Sequence, residues 1–228
     1  MMSDTIQTHS FLYYLTEVDG ISWRSQDYMT NKMVHAVKGD AIKGYFDVSV
    51  NAKGRRYRQE NIDEFIAIMM NTVAGKLRTL INSEFSLVPI PNSEVTPGTK
   101  DEFRTLSHAR RIAKIIGTRA QAVPALRWKQ PKASARRGGT RDPQVLFDNL
   151  TVVDDLKAPV ILFDDVITTG AQMIASCRRL KSVGIQPAAG IVVGRATKHQ
   201  WPSMIGWQEE EVDFAEHPLI WDDLFRDC

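Results

Sequence analysis

Asp164 and Asp165 stand side by side at the end of an apolar run, Val160-Ile161-Leu162-Phe163, and ahead of the small, hydroxyl-rich stretch Thr168-Thr169-Gly170-Ala171-Gln172. Adjacent carboxylates repel each other and are costly to desolvate, so the pair needs donors or a cation close by. An ionised carboxylate only accepts hydrogen bonds, and a vicinal diol suits it. The stretch after it opens a predicted helix over 171–183. A helix start exposes unpaired amide N–H groups and partial positive charge, and small residues let an anion approach them. This is not a Walker loop, whose glycine spacing and lysine are absent. A diol-binding acid pair beside a phosphate cradle describes a ribose 5-phosphate site made from Asp164, Asp165, Val166, Thr168, Thr169, Gly170, Ala171 and Gln172. Acid pairs also end strands in magnesium sites of unrelated α/β proteins, or simply as solvated strand ends.

A second concentration of chemistry lies at 127–141, RWKQPKASARRGGTR, with six basic residues and no acid. The stretch holds Pro131, Gly138 and Gly139 and has no periodicity, which predicts a long mobile loop. It calls for an anion; a solvated basic loop or a nucleic-acid patch are the plainer readings. Apart from Trp128 it has no aromatic side chains to stack bases, so a single-strand platform is poorly supported. Pro91, Asn92 and Ser93 follow a short apolar run and could donate to an anion or form an ordinary turn. Lys38, before Gly39, is either an anion ligand or a solvated lysine. His35, His108 and His199 have no partner visible in the sequence. Trp201, Trp207 and Trp221 belong either to the core or to a hood that stacks on a flat acceptor.

These residues need a frame to position them. The apolar positions Ile62, Phe65, Ile66, Met69, Val73, Leu77 and Leu80 recur at helical spacing, predicting about five turns from Asn61. A short helix is expected to end at Gly39, and a hairpin to turn at Asn51-Ala52-Lys53-Gly54. Ser107 is a candidate cap for a helix that stops at Gly117. FSLVPIP, QAVPAL, VILF and AAGIVVG read as strands. Strand and helix alternate, which predicts an α/β fold with a parallel sheet covered on both faces and ligands beyond the carboxyl ends of its strands. The expected division is an N-terminal extension over 1–60, an α/β core over 61–195 and an irregular acidic segment over 196–228, with the opening irregular to about residue 30.

Composition sets the outer bounds. The chain has 228 residues, 43% hydrophobic and 25% charged, the profile of an ordinary globular protein with one sizeable core. No apolar run is long enough for a membrane span, and no secretory leader is expected from the first twenty residues. Cys177 and Cys228 form neither a disulfide framework nor a zinc spacing, which makes a reducing cytoplasm the expected setting. Net charge is +2, too small to imply nucleic-acid binding by itself, although nucleic acid stays open as a partner. Residues 209–228 carry eight acids and one arginine, a solvated surface or the face for a basic partner.

VILFDDVITTGA resembles the PRPP-binding signature of the type I phosphoribosyltransferases. More loosely, LVPIPNS at 87–93, VHAVKG at 34–39 and the basic loop followed by NLTV are similar to the competence-associated ComF branch. The resemblance implies that Asp164 and Asp165 accept from the ribose 2- and 3-hydroxyls, and that Thr168 to Gln172 hold the 5-phosphate. It implies that Mg2+ bridges ribose and pyrophosphate near the two acids, bound directly or through water. Pro91, Asn92 and Ser93 would then face pyrophosphate, with Lys129, Lys132, Arg136, Arg137 and Arg141 on a lid that closes over it. Arg136 and Arg137 would serve the leaving group, and a homodimer is expected. Two features depart from the pattern. Gln172 stands where a hydroxyl residue is common, and Thr168 where the hypoxanthine–guanine type carries its aspartate base. The activity implied is transfer of ribosyl 5-phosphate to a nitrogen acceptor. The other reading is a PRPP- or nucleotide-sensing regulator, or an accessory protein of DNA uptake or processing.

Overall fold

The structure is a computed structural model and describes residues 5–16, 20–50, 53–98, 102–133, 138–156 and 159–213. In chain order the elements are β1 (Thr5–Leu15), α1 (Ser25–Val37), β2 (Phe46–Val50), β3 (Lys53–Tyr57), a 3-10 turn (Gln59–Asn61), α2 (Ile62–Leu80), β4 (Phe85–Pro89), α3 (Arg104–Ile116), β5 (Ala120–Ala122), β6 (Leu126–Trp128), α4 (Pro143–Asn149), β7 (Leu150–Val152), β8 (Val160–Ile167), α5 (Ala171–Ser182), β9 (Pro187–Thr197) and β10 (Ile205–Asp213).

A six-stranded sheet runs in the order β10-β1-β9-β8-β4-β5. Every neighbouring pair is parallel except β1 with β10. Helices cover both faces, because β8 is buried along its whole length and must be packed from two sides. Successive side chains of a strand point to opposite faces. Ile161 and Phe163 accordingly join the core with Phe65, Met70, Leu77 and Ile112, from α2 and α3. Val160 and Leu162 join the other core with Trp128, Leu146, Ile174 and Leu180. Each such apolar side chain contributes about 1.5–3 kcal/mol on burial. The fold class is therefore α/β with a mainly parallel central sheet, as the alternating pattern predicts. No helix among the described residues is long and apolar enough to cross a membrane.

The structure differs from the sequence reading at both ends. Residues 5–15 are not irregular: β1 lies inside the sheet, between β9 and β10. Nor is 196–213 an irregular segment, since β10 forms the sheet's outer strand. The first sixty residues thus supply part of the core rather than an extension to it. Polar interruptions hide β1: TIQTHSFLYYL mixes buried Thr8, His9 and Ser10 with its apolar residues. In β10, three consecutive glutamates break the apolar pattern.

Helix α1 crosses the carboxyl edge of the sheet. Its N-terminal end is tied to the loop after β9, where Arg24 Nη2 donates to the Trp201 carbonyl at 2.9 Å and Gln26 Nε2 to the Pro202 carbonyl at 3.3 Å. Its C-terminal end is tied to α3, where His108 Nε2 donates to the Val37 carbonyl at 3.1 Å.

Candidate functional site at the carboxyl edge

Strand β8 ends in Asp164-Asp165-Val166-Ile167, and only three residues separate it from α5. Gly170 caps that helix in the left-handed region at φ 84°, which a Cβ would disfavour. No side chain caps the helix end apart from a long contact of 3.5 Å between the Ala171 amide and Thr169 Oγ1. The turn is braced from the side: Arg195 Nη1 on β9 donates to the Thr168 carbonyl at 3.2 Å, and its Nε pairs with Glu210 on β10 at 2.8 Å.

A hollow opens where β8 meets α5. Asp164, Val166, Ile167, Thr168, Thr169, Gly170, Ala171, Gln172 and Met173 line one side of it, and Thr140, Arg141 and Leu146 the other. All eight residues read from the sequence as a ribose 5-phosphate site are thus here except Asp165. The volume is about 30 Å3. One water needs roughly 10–15 Å3, so the hollow has room for a small group and no more.

The two acids are not equivalent. Asp164 is 9% exposed and accepts from the Asp165 amide at 2.8 Å. Burial pushes its carboxyl well above the usual range, and the neighbouring Asp165 charge pushes the same way; Arg104 opposes both. Asp165 is 4% exposed and does not line the hollow. Its carboxylate is ion-paired with Arg104 Nε at the start of α3. Of the twin acids expected to face a diol, Asp164 lines the hollow and Asp165 is turned to Arg104, because the first turn of α3 reaches it.

The predicted anion ligands divide similarly. Pro91, Asn92 and Ser93 follow β4, next to β8, with Ile90 N–H donating to the Phe163 carbonyl at 2.8 Å. This turn is bolted to 127–133. Trp128 Nε1 donates to the Pro91 and Asn92 carbonyls at 3.1 and 3.0 Å, and the Lys132 amide to the Ser93 carbonyl at 2.9 Å. The Lys132 ammonium lies 4.7 Å over the Trp128 ring. Burial lowers its pKa while the nearby Asp164 charge raises it. Lys129 points elsewhere, donating to the Asp148 carbonyl at 2.6 Å at the end of α4. The long loop expected from 127 is thus β6 and an anchored stretch up to 133, then α4 from 143. Buried Trp128 explains the anchor. Arg136 and Arg137 lie outside the described residues, as does Trp221.

The sequence reading missed Arg104 and left His108 unassigned. His108 is buried, and burial holds it below its usual pKa; the Val37 carbonyl and the Asp165 charge oppose that, and Arg104 and Arg111 add to it. Neither residue has a local signal, since Arg104 and Asp165 are 61 positions apart. Lys38 is accounted for otherwise than by solvation, its ammonium 5.3 Å over the Tyr14 ring.

No protein-family model and no curated protein matches the chain. Among solved structures, the orotate phosphoribosyltransferase from Aeropyrum pernix is similar at 16% identity, over 73% of this chain and 83% of that one, with a TM-score of 0.38.

Proposed function

We propose that the chain binds PRPP and transfers its ribosyl 5-phosphate to a nitrogen acceptor, releasing pyrophosphate. The observation that carries this reading is the β8–α5 junction, where a buried carboxylate, Asp164, lines the same hollow as the first turn of a helix. The 5-phosphate lies in the hollow against Thr168 to Gln172, using helix-start amides and threonine hydroxyls as donors. The Gln172 amide can donate where a hydroxyl is missing. Asp164 accepts from the ribose hydroxyls. The diphosphate extends along the carboxyl edge toward Asn92, Ser93 and Lys132, with Arg141 at the rim of the hollow. Arg136 and Arg137 are candidates to close over it.

In the reaction the bond between ribose C1 and the diphosphate oxygen breaks, and its electron pair leaves with the diphosphate. The bond from C1 to the acceptor nitrogen forms, and that nitrogen sheds its proton. The protein's contribution is to hold the two partners in line and to stabilise the growing negative charge with fixed cations.

Magnesium fits this junction. Asp164 is a buried oxygen donor whose charged form is disfavoured by burial and by Asp165, and a divalent cation offsets both. No three His, Cys, Asp or Glu among the described residues cluster tightly enough to hold a metal. The ion would therefore share Asp164, directly or through water, with the ligand's own oxygens, as magnesium commonly does at phosphate sites. Asp165, engaged by Arg104, would act only from behind. When bound, the ion supplies neutralising charge to the leaving diphosphate.

Calorimetric titration with PRPP, with and without magnesium, followed by a screen of nitrogen bases for pyrophosphate release, tests the reading. Absence of PRPP binding sinks it. Binding without release for any base makes the chain a PRPP-sensing regulator.

A further inference from the structure

The ion pair between Arg104 and Asp165 has two sides. The Asp165 oxygen held by Arg104 Nε is turned to α3, and Asp165 does not line the hollow. The arginine, by contrast, has committed one of its five donors. Its side chain is 38% exposed, and among the described residues its terminal Nη1 and Nη2 groups have no hydrogen-bond partner.

Two contacts hold the start of α3, and Gly39 leaves room for the arginine stem. Arg104 opens α3, and the next residue, Thr105, donates its hydroxyl to the Ile90 carbonyl at 2.6 Å, one residue before Pro91-Asn92-Ser93. One turn further on, His108 donates to the Val37 carbonyl and fixes α3 against α1. Gly39 passes beneath the arginine stem at φ 76°, where a Cβ would lie 3.7 Å from Arg104 Cδ. A free arginine carries about 2 kcal/mol of rotamer entropy. Here the pair with Asp165 already restricts it in the folded protein. Arg104 and Lys132 both lie within Coulomb range of Asp164. They reach it from different sides, α3 packing in one core and Trp128 in the other.

We propose that Asp165 is a positioning residue that holds Arg104 as a fixed guanidinium fork, and that Arg104 binds a phosphate of the diphosphate leaving group beside the Pro91–Ser93 turn. The identity of that ligand rests on the phosphoribosyl reading above. A planar fork matches two phosphate oxygens at once. A cation there acts more strongly as the bond to C1 breaks, because the charge on the leaving group grows.

The test is calorimetry with inorganic pyrophosphate and ribose 5-phosphate separately, at fixed ionic strength and magnesium. It compares wild type with Arg104→Gln, Arg104→Lys, Asp165→Asn and the Gln/Asn double variant. Arg104→Gln is expected to weaken pyrophosphate about tenfold or more and to leave ribose 5-phosphate within about twofold. Arg104→Lys recovers only part, since a point charge lacks the fork. Asp165→Asn loses most of the same factor, and adding it to Arg104→Gln costs nothing further. Should Asp165→Asn weaken ribose 5-phosphate and spare pyrophosphate, Asp165 is a sugar ligand and the proposal falls. It falls equally if Arg104→Gln tightens ribose 5-phosphate, because Arg104 is then a plug on the acid pair. If either neutral variant fails to fold, Arg104→Lys and Asp165→Glu carry the comparison, and unchanged pyrophosphate affinity in both overturns it. Wild type that binds no pyrophosphate also overturns it. Wild type that binds pyrophosphate through Arg104 but no ribose 5-phosphate overturns the phosphoribosyl reading and leaves the anion site standing.

Discussion

Asp164 is held where a carboxylate is costly, and that cost is a lever for experiment. Its folded pKa lies above the ordinary 3.8, chiefly through burial and then through Asp165. The folded state therefore binds the proton more tightly than the unfolded state does. The stability this gives is full below the ordinary value and is lost as pH rises through the folded one. Asp164→Asn keeps the shape and takes away the ionisable group whose charged form burial disfavours. It is expected to raise the melting temperature of the ligand-free protein while weakening ribose 5-phosphate about tenfold or more. Thermal melts and calorimetry at neutral pH check both halves, and a variant that melts lower, with affinity intact, contradicts the assignment. At this scale much of the site was legible: acids, small residues and a glycine in unbroken order can be read locally. The inequality of the two acids was not, because it depends on Arg104, which no sequence spacing links to Asp165.

Elements explain why the site can be built so close to the core. Gly194 on β9 lies between β8 and α1, and a Cβ there would meet Val34 Cγ2 at 2.9 Å and Val166 Cγ2 at 3.4 Å. The missing side chain is what lets α1 lie down across the carboxyl edge. Gly194→Ala is expected to destabilise the fold by about 1–3 kcal/mol through overpacking. Adding Val34→Ala clears the nearest methyl groups, so the double variant should be more stable than Gly194→Ala alone, a non-additive result that urea denaturation can read. Equal or additive losses would mean that α1 does not rest on this contact. Helices α2 and α5 and strands β4, β8 and β9 were readable from apolar period and glycine stops, and so was the end of α3 at Gly117; its start was not, since it begins at Arg104 with Phe103 at the cap and the predicted cap Ser107 lies inside it. The strands β1 and β10 were not, since buried polar residues in one and a run of glutamates in the other break the alternation. Only pairing across the whole chain identifies them as strands.

That pairing makes the molecule depend on distant segments meeting, and α1 is the strap that joins them. Asp27, with no exposed surface, accepts from the Arg24 amide at 2.7 Å, from Arg24 Nε at 3.0 Å and from Gln200 Nε2 at 2.8 Å. Gln200 also donates to the Ser22 carbonyl at 2.7 Å, so one carboxylate fastens the loop after β9 to the segment after β1. The Arg24 hydrogen bond is the main reason its pKa lies below the ordinary value. The sign is opposite to that of Asp164: stability from Asp27 is present above the ordinary carboxylate range and is lost as pH falls through the depressed folded value. The two buried aspartates thus pull the pH profile of the ligand-free protein in opposite directions, Asp27 weakening it on the acid side and Asp164 on the side toward neutrality. Melting temperatures measured from about pH 3 to about pH 8 should pass through a maximum between these two regions. Asp164→Asn should flatten the fall above that maximum and leave the acid side unchanged. Asp27→Asn should lower the curve at neutral pH and converge with wild type as the solution is acidified. A saturating ligand that supplies donors or a cation to Asp164 should act like Asp164→Asn, because it offsets the penalty that burial sets on the ionised form, while leaving the Asp27 limb in place. Parallel curves for wild type and both variants would show that neither carboxylate couples folding to pH, and would remove the strap along with the lever.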